Sequence, residues 1–385
     1  MLVLAVVVGA DGEEVLLAGD IHRKAIVVDG HNDVATWIVD FGFDLGMNGS
    51  DPAKRRAELY WIIGWLLPRP SGDRLRTHTD LRRLKAGGVD AQFFSIFAHP
   101  RFAKAPGGTK RRAFGMIDAL EEQVRRHRDE LELAVLVEDV RRISRKGKIS
   151  VLMGLEGGHA IEDDLGNLAE FRDRGVRYMT LTWANTNGWA DSSNDTARHG
   201  GLTEFGRQVV REMNRLGMVV DVSHSSDETF WDTVKVTRAP LMASHSSARA
   251  LVNNPRNMSD DMLKAVAEGG GVVMVNFGGP FIDARKASRW RVISDAVLHW
   301  GPSPVSIDLL LDHIDHIVRV AGVEHVGLGS DFDGTLFLPH EIGDVSGFPR
   351  VTSGLLDRGY SESDIEKILG ENALRVLERA ETVSQ

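Results

Sequence analysis

Short runs rich in apolar and β-branched residues alternate along the chain with longer stretches whose apolar positions recur at helical spacing. The first pattern reads as buried strands and the second as amphipathic helices, so the alternation predicts parallel strands joined by crossover helices. Eight such runs stand out: Ala25–Val28, Ala91–Phe97, Ser150–Leu155, Tyr178–Leu181, Val219–Val222, Leu241–Ala243, Val272–Val275 and His325–Leu328. Helical periodicity covers Arg111–Glu130, Thr203–Leu216 closed by Gly217, Asp260–Glu268 and Ile307–Val320 closed by Gly322, with each glycine where a helix end favours one. Eight strand–helix units predict an α/β fold of the (β/α)8 TIM-barrel type. A doubly wound sheet is the competing architecture, but no Gly-x-Gly-x-x-Gly follows the first run, and polar clusters follow several different strands. The stretch Ser363–Arg379 predicts a closing helix on the barrel exterior, with Ser363 and Glu366 at capping-box spacing. Phe41–Thr79, rich in Trp, Pro and Gly, reads as an elaborated loop after the first strand, and the tryptophans of Thr36–Trp65 as a roof over its end.

A length of 385 residues suits one large barrel, with residues 1–20 as a leader or signal remnant and 21–385 as the barrel domain. Hydrophobic residues at 42% and charged residues at 26% exclude a disordered, collagen-like or coiled-coil chain. The formal charge of −9 speaks against a non-specific nucleic-acid binder, which needs a basic footprint. With no cysteine there is no disulfide, no thiolate nucleophile and no Cys-type metal site, so any metal must sit on histidines and carboxylates. The absence fits reducing and oxidising compartments alike, and localisation stays open. Met1–Ala10 is apolar but too short to span a bilayer and lacks a basic flank; a clipped export signal and a plain leader both fit it. No other stretch approaches the apolar length of a membrane span.

Candidate chemistry gathers where the strands end. The first run leads into Asp29-Gly30-His31-Asn32-Asp33, where an extended backbone sends His31 and Asp33 to one side, a geometry that suits a metal. The third ends in Glu156-Gly157-Gly158-His159, a carboxylate among glycines that permit close approach. The fifth and sixth lead into Ser223-His224-Ser225 and Ser244-His245-Ser246, two similar turns on consecutive strands. The eighth leads into Gly329-Ser330-Asp331-Phe332-Asp333-Gly334, with Asp331 the candidate base and Asp333 a structural Asp-Gly turn. His31, Asp33, Glu156, His224 and His245 form a ligand set for two divalent ions with Glu156 between them; such donors suit Zn²⁺, and Mn²⁺ or Co²⁺ could use the same ligands. The remaining candidates read as structural. His313 and His316 lie three apart on a solvated helical face, His22, His78, His99, His127 and His340 lack partners, and Arg141–Lys148 is a solvated loop.

The order and spacing of these motifs, with Gly87-Gly88-Val89-Asp90-Ala91-Gln92-Phe93-Phe94-Ser95 and Asn254-Pro255-Arg256-Asn257, resemble the membrane dipeptidase (renal dipeptidase) family over nearly the whole chain. The resemblance implies a zinc-dependent peptidase acting on small peptides. His31 and Asp33 would bind one zinc, His224 and His245 the other, and Glu156 both. Asp331 would hold the attacking water, Arg256 would meet the substrate's terminal carboxylate, and the enzyme would be a homodimer. Two departures stand out: Trp183 occupies the place of a family histidine that steadies the oxyanion, with Asn185, His199 or a metal as candidate substitutes, and Phe277-Gly278-Gly279 stands where many relatives place a tyrosine. They leave two further readings open: a related amide or lactone hydrolase with another substrate, and a non-catalytic metal-binding barrel.

Overall fold

A computed structural model describes residues 18–57, 60, 70–287 and 305–383. Met1–Ala10, Trp61 and Trp65 lie outside the described residues, while Trp37 is buried in the core against Phe41 rather than over the barrel mouth. The helix Ala18–Lys24 begins inside the segment read as a leader, and its His22 reaches Thr352 Oγ1 through Nδ1 (2.7 Å).

Eight parallel strands form the barrel: β1 (Val27–Asn32), β2 (Val89–Phe97), β3 (Ile149–Glu156), β4 (Val176–Thr180), β5 (Val219–Asp221), β6 (Met242–Ala243), β7 (Val272–Val275) and β8 (Val326–Leu328). Their order is β2-β1-β8-β7-β6-β5-β4-β3, and β3 pairs back onto β2 from Ala91↔Ser150 to Phe97↔Glu156, which closes the circle. The expected (β/α)8 architecture is the observed one. A short ninth strand, Leu131–Leu133, pairs beside the start of β3. Helical periodicity runs to Glu130 in the sequence, but the helix Gly108–Arg126 ends earlier, which leaves the Leu-x-Leu alternation free to pair.

Side chains alternate across each strand. Val28, Phe93, Leu152, Tyr178, Val219, Met242, Val272 and Met274 fill the barrel, whereas Val27, Phe94, Met153, Met179, Val220, Ala243 and Val273 pack in the cluster shared with the surrounding helices. Thr203 caps the helix Glu204–Leu216, and Gly217 ends it in the left-handed region at φ +66. The C-terminal segment departs from expectation twice. Its first turn, Glu362–Glu366, is capped by Ser361, whose side chain accepts from Asp364 N, and not by Ser363. Its last helix, Asn372–Val383, sends Leu374, Val376, Leu377 and Ala380 into the cluster that fills the barrel interior, so it packs beneath the barrel rather than along its flank.

Candidate metal centre

The strand ends bring the candidate ligands to one rim. β1 carries His31 into the barrel mouth, Asp33 follows at the start of the helix Val34–Phe41 with its carboxylate unused as a cap, and β3 ends on Glu156. His224, His245 and Asp331 come from the turns after β5, β6 and β8. His31 Nε2 lies 3.4 Å from Asp33 Oδ2 and 3.6 Å from Glu156 Oε2. The other oxygen of Glu156, Oε1, lies 3.2 Å from His224 Nε2 and 3.9 Å from His245 Nε2. Asp331 joins from the opposite side, with ligand atoms of His31, Asp33 and Asp331 all within 4.8 Å of one another. All six residues are buried. The fit of a backbone atom here is tight: a Cβ on Gly334 would stand 1.9 Å from Asp33 Oδ2.

Donor chemistry argues for a cation. His31 Nε2 is buried without a hydrogen-bond partner among the described residues, and His224 Nε2 faces His245 Nε2 at 2.9 Å, where two lone pairs would repel. Three carboxylates crowd the same space. Burial and the neighbouring Asp33 push the Asp331 carboxyl up to about 8. Burial also raises Asp33, with Glu156 adding to it. Burial opposes charging His31, yet Tyr178, Glu156 and Asp33 around it raise its pKa well above the usual histidine value. Burial and Arg256 lower His224 to about 4, and burial and His31 hold His245 well below the usual histidine value. Carboxylate oxygens and imidazole nitrogens aimed at shared points fit divalent ions, which would take the place of the protons that these groups otherwise hold.

A cavity of about 200 Å³ opens on this cluster, small beside the 300–1,000 Å³ of typical ligand pockets. Arg256 lines it, 5% exposed, and makes no ion pair among the described residues. Its Nη2 donates to His245 O (3.2 Å) and its guanidinium lies 5.5 Å from the centre of the Phe281 ring, while burial pushes its pKa down to about 10. Trp183 lines the cavity too, tilted on Phe97 (4.7 Å) and His99 (5.5 Å). The barrel order puts these three on the β2–β3–β4 arc, facing Arg256, Phe281 and Asp331 on the β6–β8 arc.

The structure does not bring every expected residue to the cavity. Asn185 is absent from its lining, which takes Asn194 from the same long loop, and His199 is held by Asn187 O (3.0 Å). Phe277 packs on Phe332 and Phe348 in the core. Asp333 is the turn residue expected of it, at φ +66 and accepting from His78 N (2.8 Å). Histidines read as solvated or unpartnered are neither: His313 is buried and accepts from Ala248 N, His316 pairs with Asp260, and His127 with Asp44. His78, His99 and His340 likewise have partners, in Asp333 N, Arg101 N and Val305 O. Sequence reasoning missed a supporting layer: Ser95 Oγ donates to Glu156 Oε2 (3.0 Å) and Asn276 Nδ2 to Asp331 Oδ2 (2.8 Å). Asn276, just past the apolar β7, follows the signal already used for the candidate ligands, whereas Ser95 lies within β2.

A (β/α)8 barrel with histidines and carboxylates converging on its C-terminal rim defines a metal-dependent hydrolase. Residues 17–385 match the family model described as membrane dipeptidase, peptidase family M19. The chain belongs to the membrane dipeptidase family, and it is a metal-dependent dipeptidase by class. Dipeptidase tcpJ of Claviceps purpurea is 38% identical over 323 residues, covering 82% of this chain and 72% of that protein. Among solved structures, the probable dipeptidase PvdM of Pseudomonas aeruginosa is 26% identical with a TM-score of 0.79, covering 95% of this chain and 98% of that one. A metallopeptidase of Rhodobacter sphaeroides, solved with a phosphinate mimic of the dipeptide L-Ala-D-Ala, is 29% identical with a TM-score of 0.74, covering 92% and 99%.

Proposed function

We propose that the enzyme is a binuclear zinc dipeptidase that cleaves small dipeptides with a free C-terminal carboxylate. The observation that carries the reading is Glu156, whose two oxygens face different ligand sets: Oε2 faces His31, itself beside Asp33, and Oε1 faces His224 and His245. His31, Asp33 and Glu156 would hold one ion and His224, His245 and Glu156 the second. Two such ions would supply Lewis acidity and a water acidified to near neutrality.

The chain's own groups do the rest. Arg256, buried and without an ion pair among the described residues, binds the substrate carboxylate with its planar fork and so sets the register of the peptide. Asp331 keeps Oδ2 on Asn276, leaving Oδ1 to take the proton from the attacking water. The water oxygen bonds to the amide carbon, the C–N bond breaks, and the same proton passes from Asp331 Oδ1 to the leaving amine. Trp183 and Phe97 form an apolar wall that keeps bulk water from this step. The mimic bound to the Rhodobacter relative supports including D-configured C-terminal residues among the substrates. A homodimer, as the resemblance implies, is part of this reading and is measured by sedimentation.

Trp183 favours one second reading, a hydrolase of the same class whose substrate is another amide or a lactone, because an uncharged indole replaces an oxyanion donor. A purely binding role fits poorly with a buried base beside the ligands. The test uses zinc-loaded protein with a panel of L,L and L,D dipeptides, and Asp331→Asn beside the wild type. Hydrolysis is expected in the wild type, with Asp331→Asn losing turnover at unchanged zinc content. Two zinc ions per chain with no dipeptide cleaved would overturn the assignment.

A further inference from the structure

A metal-ligating imidazole binds through one nitrogen, and whatever the other nitrogen donates to decides how firmly the ring is aimed. Behind His31 stands Tyr178, buried inside the barrel, with its hydroxyl 2.9 Å from His31 Nδ1 and 3.1 Å from Gly30 O. A carbonyl only accepts, so the single phenol proton goes to Gly30 O and the phenol oxygen is left to accept from His31 Nδ1–H. Behind His245 stands Ser244, whose Oγ lies 2.5 Å from Asp221 Oδ2 and 2.7 Å from His245 Nδ1. The buried Asp221 also receives Thr180 Oγ1 (2.8 Å), Ser223 N (3.0 Å) and Ser244 N (2.9 Å), which keeps it an acceptor. Ser244 therefore spends its proton on Asp221 and accepts from His245 Nδ1–H.

We propose that Tyr178 and Ser244, the latter backed by Asp221, are positioning residues that hold His31 and His245 by Nδ1 so that each ring presents Nε2 to the cation site. The proposal rests on the metal-site reading above, but not on the substrate. Gly154 is part of the device. A Cβ there would stand 2.0 Å from Tyr178 Cζ, so only glycine on β3 lets the phenol cross the barrel to reach His31. Among the described residues the third imidazole lacks such a partner: His224 Nδ1 is buried without a hydrogen bond, and its ring is set by a left-handed backbone (φ +68) and an edge contact with His245. His31 and His245 are thus aimed by hydroxyls, and His224 by its turn.

The experiment compares zinc-loaded wild type, Tyr178→Phe, Ser244→Ala and Ser244→Thr, reading zinc affinity by chelator competition and the imidazole N–H resonances of ¹⁵N-histidine-labelled protein. Tyr178→Phe keeps the ring and its packing on Phe93 (4.9 Å) while removing the hydroxyl. Tyr178→Phe and Ser244→Ala are each expected to weaken zinc binding about 10–100-fold. Each should also shift or lose one Nδ1–H resonance, that of His31 or His245 respectively, while Ser244→Thr restores both readouts. Should Ser244→Ala fail to fold, Tyr178→Phe and Ser244→Thr still decide. Unchanged zinc affinity and unchanged Nδ1–H resonances in Tyr178→Phe and Ser244→Ala would overturn the proposal. A wild type that binds zinc and cleaves no dipeptide would sink the dipeptidase reading and leave this one standing.

Discussion

His224 and Asp331 adopt left-handed backbone angles, φ +68 and φ +61, that cost non-glycine residues roughly 1–2 kcal/mol each. Each strained turn points a functional side chain back over the barrel mouth. Arg256 makes a sharper prediction. Its guanidinium is the buried cation facing the cavity, so Arg256→Met should reduce kcat/KM for dipeptides by roughly 10²-fold, since truncating one partner of a buried charge pair costs about 2–5 kcal/mol. The same variant should barely change cleavage of C-terminally amidated analogues, and steady-state kinetics on both substrates checks this. At Trp183 the expected outcome is a gain: Trp183→His restores a donor near Glu156, and a donor to developing charge is worth about 10²–10³ in rate. Dipeptide turnover at fixed zinc should rise at least about tenfold; no rise would place the oxyanion donor elsewhere in the cavity. The cluster of candidate ligands was legible because cysteine is absent and each follows an apolar run. Tyr178, Ser244 and Ser95 were not, since hydroxyls within strands or just past them are commonplace and only the closed barrel shows which histidine or carboxylate each one faces. Residues 181–203 carry no period from which to tell that Asn194, and not Asn185, lines the cavity.

Strand by strand, the barrel was readable because its inward and outward faces are both apolar, giving continuous runs that helical segments separate. The ninth strand escaped because Leu131–Leu133 is too short to register against the helix before it. Cap positions were the least legible, since Ser361 and Ser363 both precede an apolar stretch with an acid nearby. Their geometry separates them: Ser361 has extended backbone angles and accepts from Asp364 N, whereas Ser363 already lies inside the first turn. Ser361→Ala should therefore destabilise the protein by about 1 kcal/mol, as loss of an N-cap does, and Ser363→Ala should be close to neutral. Equilibrium urea unfolding of the two variants decides it. The floor beneath the barrel was hidden for another reason. The helix Asn372–Val383 is amphipathic, and periodicity tells which face is buried but not against what.

Across the molecule, the proposed site would tie stability to metal. Its proposed ligands come from β1, β3 and the turns after β5 and β6 and are separated by up to 214 positions of chain between His31 and His245, so the unfolded protein cannot hold them together. Ions that bind only the folded state stabilise it in proportion to the logarithm of their free concentration. Above saturation, each tenfold rise in free zinc adds about 1.4 kcal/mol per bound ion. Without a cation the folded state keeps Asp33, Glu156 and Asp331 buried side by side with His31 as their near counter-charge, an arrangement that solvent relieves on unfolding. Chelation should therefore lower the denaturant midpoint, and readdition of zinc should recover it. Unfolding free energy measured against buffered free zinc should climb with a slope of about 2.8 kcal/mol per decade if two ions leave on unfolding. In Glu156→Gln, where the shared carboxylate becomes a neutral amide with a single acceptor oxygen, the slope should fall toward that of one ion or none. A wild-type slope of one ion would mean that the second set, His224 and His245, holds no zinc of its own, and the binuclear reading would fail at the scale of the whole fold.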